Sequence, residues 1–215
     1  MRKLAYFFMV LAIAAPMAVQ AQDSTEFRVD SESSLIRVLA WPDGPLKRFG
    51  HHHVISHNGL SGTIEVAENP LESNITLELR VQDFAVDDPE LRALESEEFE
   101  GEVPQKDIDG TRANMLSEDL LDGERFQTIQ IRSEKIEGSL PDVNIVATVV
   151  VKGVESTVTF PASVELTDDS VVARGEIELL HAAVGLSPFT AMGGALSVRD
   201  LLVFKYEIVG TRATN

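Results

Sequence analysis

The sequence predicts an all-β fold, a single antiparallel β-barrel of about eight strands with one or two short helices. Three observations predict it. Most segments alternate apolar and polar residues with a period of two, as strands with one buried face do. Clusters of turn-forming residues interrupt these runs at short, regular intervals. Helical periodicity is confined to two brief stretches.

The chain opens with "MRK", a short positive segment, followed by the apolar run "LAYFFMVLAIAA". Val19 and Ala21 then supply the small-residue pattern that a signal peptidase accepts before Gln22. The run is short for a bilayer span. Residues 1–21 are therefore expected to be a cleaved export signal, and residues 22–215 the mature domain, periplasmic and not membrane-spanning.

Seven strand segments follow from the alternation. "SSLIRVLAW" (33–41) alternates loosely. "NITLELRV" (74–81) places Ile75, Leu77, Leu79 and Val81 on one face, and "QTIQIRSEK" (127–135) does the same with Ile129 and Ile131. "VNIVATVVVKG" (143–153) is apolar on both faces in part. "VESTVTFPASVEL" (154–166) alternates Val158, Phe160, Ala162 and Val164 against Thr157, Thr159, Ser163 and Glu165. "VVARGEIELLH" (171–181) puts Ile177, Leu179 and His181 on a common face, and "LLVFKYEIVG" (201–210), with Phe204, is the last run. "LPD" (140–142), "KG" (152–153), "TDD" (167–169) and "MGG" (192–194) mark turns. "DPELRAL" (88–94) has Asp88 as N-cap and Pro89 at the first helical position, and "TRANMLSEDLL" (111–121) is the second short helix. The acidic run "ESEEFEGEVPQKDID" (95–109) reads as a solvated, mobile loop. Ala147, Ala162, Ala173 and Gly175 fall on inward-facing positions, so the barrel is expected to keep internal volume.

Composition bounds the function. The chain has 215 residues and no cysteine, which excludes disulfides, thiolate chemistry and covalent c-type haem. Its net charge is −17, and the leader contributes cations only, so nucleic acid and anionic headgroups are expected to be poor partners. No nucleophile elbow or phosphate loop is present, and paired acids such as Asp87/Asp88 read as turn and cap residues.

The order of several motifs resembles the YceI-like family. "FRVDSESSLIRV" (27–38) is similar to its opening strand, "LSGTIEV" (60–66) to its second segment, "MLSEDLLDGERFQTIQIRSEKI" (115–136) to the stretch ending in its "tI.f.S" strand, and "VVVKGVESTVTFPASVEL" (149–166) to its "G-v-t-k-x-V" hairpin. The resemblance covers essentially the whole mature chain. The family's Arg-Asp-x-His-Leu segment is replaced near "TRANML" (111–116), the 95–109 run looks like an insertion, and "FGHHHVISH" (49–57) with "GLSPFTAMGGALSVRD" (185–200) mark a GHxH-type subgroup. The resemblance implies a lipocalin-like barrel that carries a long apolar isoprenoid-type lipid, polyisoprenoid or quinone-like. It implies a carrier without cofactor rather than an enzyme, and leaves a homodimer open.

Four of the five histidines lie within "FGHHHVISH". In an extended strand His51 and His53 share a face with Phe49, and His52 takes the other. Two readings follow. A His-x-His pair with His181 as third ligand would make a periplasmic metal protein serving a redox partner. Alternatively, neutral imidazoles form the polar end of an apolar pocket, able to donate and accept hydrogen bonds to a headgroup. The second reading takes His51, His53, Phe49 and His181 as the polar end, Leu77, Leu79, Ile129, Ile131, Phe160 and Phe204 as the cavity wall, and Phe189 and Met192 as an apolar flap. A bland alternative is a barrel with a filled interior that serves only protein interaction.

Overall fold

The structure is a computed structural model that describes residues 24–213; the proposed signal segment 1–21 lies outside the described residues. Eight strand positions follow one another around a closed antiparallel barrel. Strand β1 runs Ser24–Val29 and resumes as Leu35–Ala40; β2 runs His53–His57 and resumes as Ser61–Ala67; β3 runs Asn74–Arg80 and resumes as Ala85–Val86. The remaining five are unbroken: β4 Thr128–Ser139, β5 Asp142–Val151, β6 Val154–Leu166, β7 Ser170–Leu180 and β8 Leu201–Arg212. Each pairs with the next, and β8 closes the barrel on both halves of β1, with Phe27 opposite Arg212 and Leu39 opposite Val203.

The breaks have local causes. In β1, Asp30 Oδ1 accepts the Glu32 and Ser33 N–H groups at 3.1 and 3.2 Å, and Oδ2 accepts the Ser33 hydroxyl at 2.8 Å. This Asx-type turn opens the five-residue break between Val29 and Leu35. The Ser33 hydroxyl and N–H hold the Asp30 carboxyl below its ordinary pKa. The buried Ser34 hydroxyl then accepts from Val209 N at 2.9 Å and stitches the bend back to β8. Lys152 and Gly153 both take positive φ, 51° and 74°, between β5 and β6. That is the two-residue hairpin turn whose twist matches the strands.

The strands read from alternation are present with small shifts at their ends, and the 154–166 run coincides with β6. Short strands beginning at His53, Ser61 and Ser24 fall outside the runs that alternation marked. The helices differ more. Helix α1, Pro89–Arg92, is a single turn capped by Asp88, whose side chain accepts Glu90 N and Leu91 N. Helix α2 spans Gln105–Leu116, so it begins inside the acidic run and ends before Ser117.

The acidic run is a second correction. Phe99 is 1% exposed and packs with Leu39, Val54 and Val203 on the outer face of the barrel. Glu95 is buried between Arg37, at 2.9 Å, and Lys205, at 2.5 Å. The segment is therefore a strap over β1, β2 and β8. Its charge pattern misled because one aromatic ring and one paired carboxylate anchor it, while most of its other residues, such as Glu97, Glu98 and Glu100, stay open to solvent. A third difference concerns "MGG": Thr190–Ala191, Leu196–Val198 and Pro42–Asp43 form a small three-stranded sheet at one end of the barrel. The segment predicted as a free flap is thus tied down by backbone pairing.

Candidate functional site: the barrel lumen and its histidine rim

Inward residues of the strands enclose a cavity of about 400 Å³ walled mainly by apolar side chains. From Leu202 to Ile208 on β8 the wall extends six residues, about 20 Å along the strand and roughly 15 Å along the axis at usual barrel tilts. Ile129, Ile131, Phe160, Leu179 and Phe204 face inward yet are only partly buried, because the lumen itself leaves them uncovered. Ala147 and Ala173 keep the wall thin. Gly175 has a different purpose. A Cβ there would sit 2.2 Å from both Pro161 O and Tyr206 Oη, so its missing side chain accommodates the hydrogen bond from Tyr206 to Pro161. Burial pushes the Tyr206 phenol up to about 12, and it stays neutral as a donor.

The predicted wall residues Leu77, Leu79, Ile129, Ile131, Phe160 and Phe204 all lie on this cavity, as do His51, His53, His181 and Phe189. Phe49 and Met192 do not: they project from the outer rim, 64% and 73% exposed. The reason is local. The chain leaves extended geometry in a 3-10 turn at Lys47–Phe49, which breaks the parity that would have placed Phe49 beside His51, and Met192 begins a second such turn.

His53 opens β2 opposite Ala40 and forms the centre of the polar end. Its Nδ1 lies 2.6 Å from Asp87 Oδ2, and its Nε2 lies 3.2 Å from Thr111 Oγ1 on α2. The Asp87 side chain is fully buried, and Asp87 itself has a left-handed backbone with φ 57°. Burial works to raise its pKa, but His53, the Val54 N–H and Arg92 together hold it below the ordinary value. An ionised carboxylate only accepts, so His53 Nδ1 carries a proton directed at Asp87, and its Nε2 faces the Thr111 hydroxyl. Arg92 completes the cluster: it donates to Asp87 Oδ1 at 2.6 Å, and to the His52 and Phe99 carbonyls at 2.7 Å each.

Helix α2 presents Asp107, Thr111 and Asn114 at helical spacing. His51 Nε2 lies 3.3 Å from Asp107, and Thr111 and Asn114 line the cavity. The His51 and His53 ring centroids are 6.2 Å apart. His181 terminates β7 in a 3-10 turn instead of extending it, and donates its Nδ1–H to Asp200 O at 2.8 Å. Among the described residues no three metal-ligating side chains come together. His52 takes the other face, beside Phe99 and the Glu98 carbonyl, within the strap. His57 is 1% exposed, 4.8 Å from the Phe84 ring, and its Nε2–H donates to Arg80 O at 3.1 Å. Since a carbonyl accepts, its Nε2 bears the proton, and burial pulls its pKa down against that bond and Asp83.

Sequence reading missed Asp87, Thr111 and Asn114. Asp87 precedes Asp88-Pro89, and only one of two adjacent acids can cap a helix; that was the available signal. Thr111 and Asn114 were legible only once α2 had a register.

The fold and site together define an antiparallel barrel with an apolar lumen and one polar rim. The YceI-like domain matches residues 27–201, and the chain belongs to this family. Among solved structures, BcnA of Burkholderia cenocepacia aligns with a TM-score of 0.61 at 14% identity, covering 85% of this chain and 99% of that one. A Campylobacter jejuni YCEI protein aligns at 0.54 and 8% identity, covering 74% and 85%. A mutant of that protein, solved with a monobromobimane guest, aligns at 0.55 and 8% identity over the same shares. These likenesses concern the fold. No curated protein sequence matches the chain.

Proposed function

We propose that the protein is a periplasmic carrier, exported by residues 1–21, that holds an isoprenoid-type lipid in the barrel. The observation that carries this is a long apolar lumen with polar side chains gathered at one end. Such a shape suits a molecule with a hydrocarbon tail and a single polar head, a polyisoprenoid or a quinone. The resemblance of "FGHHH" to a GHxH-type subgroup and the membership of the family support the same reading. Thr111, Asn114 and His51 would meet the headgroup. His53, held by Asp87, would orient the Thr111 hydroxyl. The role is binding and not catalysis, and it calls for no cofactor. The alternative, a histidine-bound metal serving a redox partner, would need a third ligand beside His51 and His53, and among the described residues no such group of three comes together.

Native mass spectrometry of freshly purified protein tests the reading. The expected result is an apolar adduct and no stoichiometric metal, with the adduct diminished in Thr111→Val and His53→Ala and retained in His52→Ala. Protein that carries no adduct and takes up neither polyprenols nor quinones from detergent would refute it. Stoichiometric metal that disappears with His53→Ala would favour the alternative.

A further inference from the structure

We infer that the rim of the barrel at Phe49 and Met192 is a docking surface for a phospholipid bilayer. The inference rests on the lipid-carrier reading above, since it concerns how such a cargo reaches the lumen.

Phe49 and Met192 are the most exposed large apolar residues of this end, and two short 3-10 turns carry them. The turns are neighbours. Leu46 N donates to Ala195 O at 2.9 Å, and Gly50 lies so close to Pro42 and Leu196 that a Cβ there would meet them at 2.7 and 3.2 Å. Met192 is held out by a left-handed backbone with φ 52°, a conformation that disfavours side chains other than Gly and Asn. The same segments wall the cavity through Pro42, Gly50, Ala191 and Leu196, so the apolar tips stand beside its mouth.

Cations stand directly beside the apolar tips of this rim. The chain carries −17 overall, and among the described residues half of the sixteen cations are in ion pairs: Arg28, Arg37, Arg80, Arg92, Arg132, Lys135, Arg174 and Lys205. Lys47 and Arg48 have no carboxylate partner among the described residues, and Arg48 lies over the Phe49 ring at 4.7 Å. Arg199 lies 6.0 Å from the ring of Trp41 at the same rim. Exposed apolar tips flanked by free cations fit the boundary between acyl chains and phosphates, where the tips enter hydrocarbon and the cations reach headgroups. At physiological salt the field of the distant acids is screened beyond about 8 Å, so the rim's own cations govern close approach despite the overall negative charge.

Trp41 is the single tryptophan and sits at this rim, so its fluorescence reports docking without a label. The probes are vesicles of phosphatidylcholine alone and of phosphatidylcholine with phosphatidylglycerol. Expected are co-sedimentation with both, severalfold stronger on the second, and a blue shift of Trp41. Phe49→Asp/Met192→Asp should abolish both signals, and Lys47→Glu/Arg48→Glu should weaken binding severalfold. Both variants should keep the parent's adduct when loaded from detergent, because none of these side chains lines the lumen. Failure to bind either vesicle, or binding that survives the apolar double substitution, overturns the docking surface while leaving the carrier reading intact. Loss of detergent loading in the parent would instead refute the carrier reading.

Discussion

The His53 imidazole and the Asp87 carboxylate meet at 2.6 Å, joining a cavity-wall ring to a carboxylate that solvent does not reach. Arg92, on the other oxygen of Asp87, also bonds the backbone of His52 and Phe99. One buried charge cluster thus connects the polar end of the lumen to the strap on the outer wall. Removing Asp87 strands Arg92 without its counter-charge. Breaking a buried pair from one side typically costs about 3–5 kcal/mol.

Asp87→Ala is accordingly expected to lower unfolding free energy by about 3–5 kcal/mol in urea at pH 7. The pH dependence has a definite sign. The folded pKa of Asp87 lies below its unfolded value, so the stabilisation is present above the ordinary aspartate range and is lost as pH falls through the depressed folded pKa. The parent should lose this contribution in strong acid, and the variant should show a shallower acid limb. Equal acid limbs would show that Asp87 does not carry the linkage.

The strap yields a second prediction. Phe99 fills a site between Leu39, Val54 and Val203, with Trp41 at 5.3 Å edge-on. Phe99→Ala should destabilise by about 3–5 kcal/mol, as buried Phe truncations do. Deleting 95–109 should do at least as much, because it also removes Glu95 from Arg37 and Lys205. Denaturant melts that leave the midpoint unchanged for Phe99→Ala would restore the solvated-loop picture.

His57 supplies a milder pH effect. Its folded pKa is depressed, chiefly by burial, so the unfolded chain binds more protons at mildly acid pH. Stability should therefore be fully present above about pH 6.5, the ordinary histidine value, and decline as pH falls toward the folded pKa. Thermal melts between pH 8 and pH 5, compared for parent and His57→Gln, should show the larger decline in the parent. Ring NMR shifts should keep His57 neutral at pH values where an exposed histidine has titrated.

How legible all this was in the sequence depends on the length scale of the cause. Period-two alternation survives in β6 because one face of a long strand meets a continuous lumen, and Val158, Phe160 and Ala162 all obey it. It fails near Phe49, where a 3-10 turn of three residues resets the phase. Composition misread the strap for a related reason: many acids surround a single anchoring ring. The Asp87–Arg92 cluster is invisible to periodicity, since it depends on one residue with positive φ and on contacts made between distant segments. The cavity wall was readable because it is built from regular strands; the polar end was half readable because it is built from their interruptions.

The lumen itself can be tested by filling it. Ala173 on β7 lines the cavity opposite Ile208 on β8 and remains partly uncovered. Ala173→Phe would direct a ring into free space, unlike a similar change in a packed core, where overpacking costs typically 1–3 kcal/mol. The expected outcome is a folded barrel with stability within about 1 kcal/mol of the parent and a much reduced uptake of polyprenol or quinone. Ala162→Phe is the contrast. Ala162 faces a packed cluster with Ile136 and Val143, so the same ring should destabilise by about 1–3 kcal/mol. A folded Ala173→Phe protein that takes up ligand with the parent's stoichiometry would mean that the ligand does not occupy this part of the lumen.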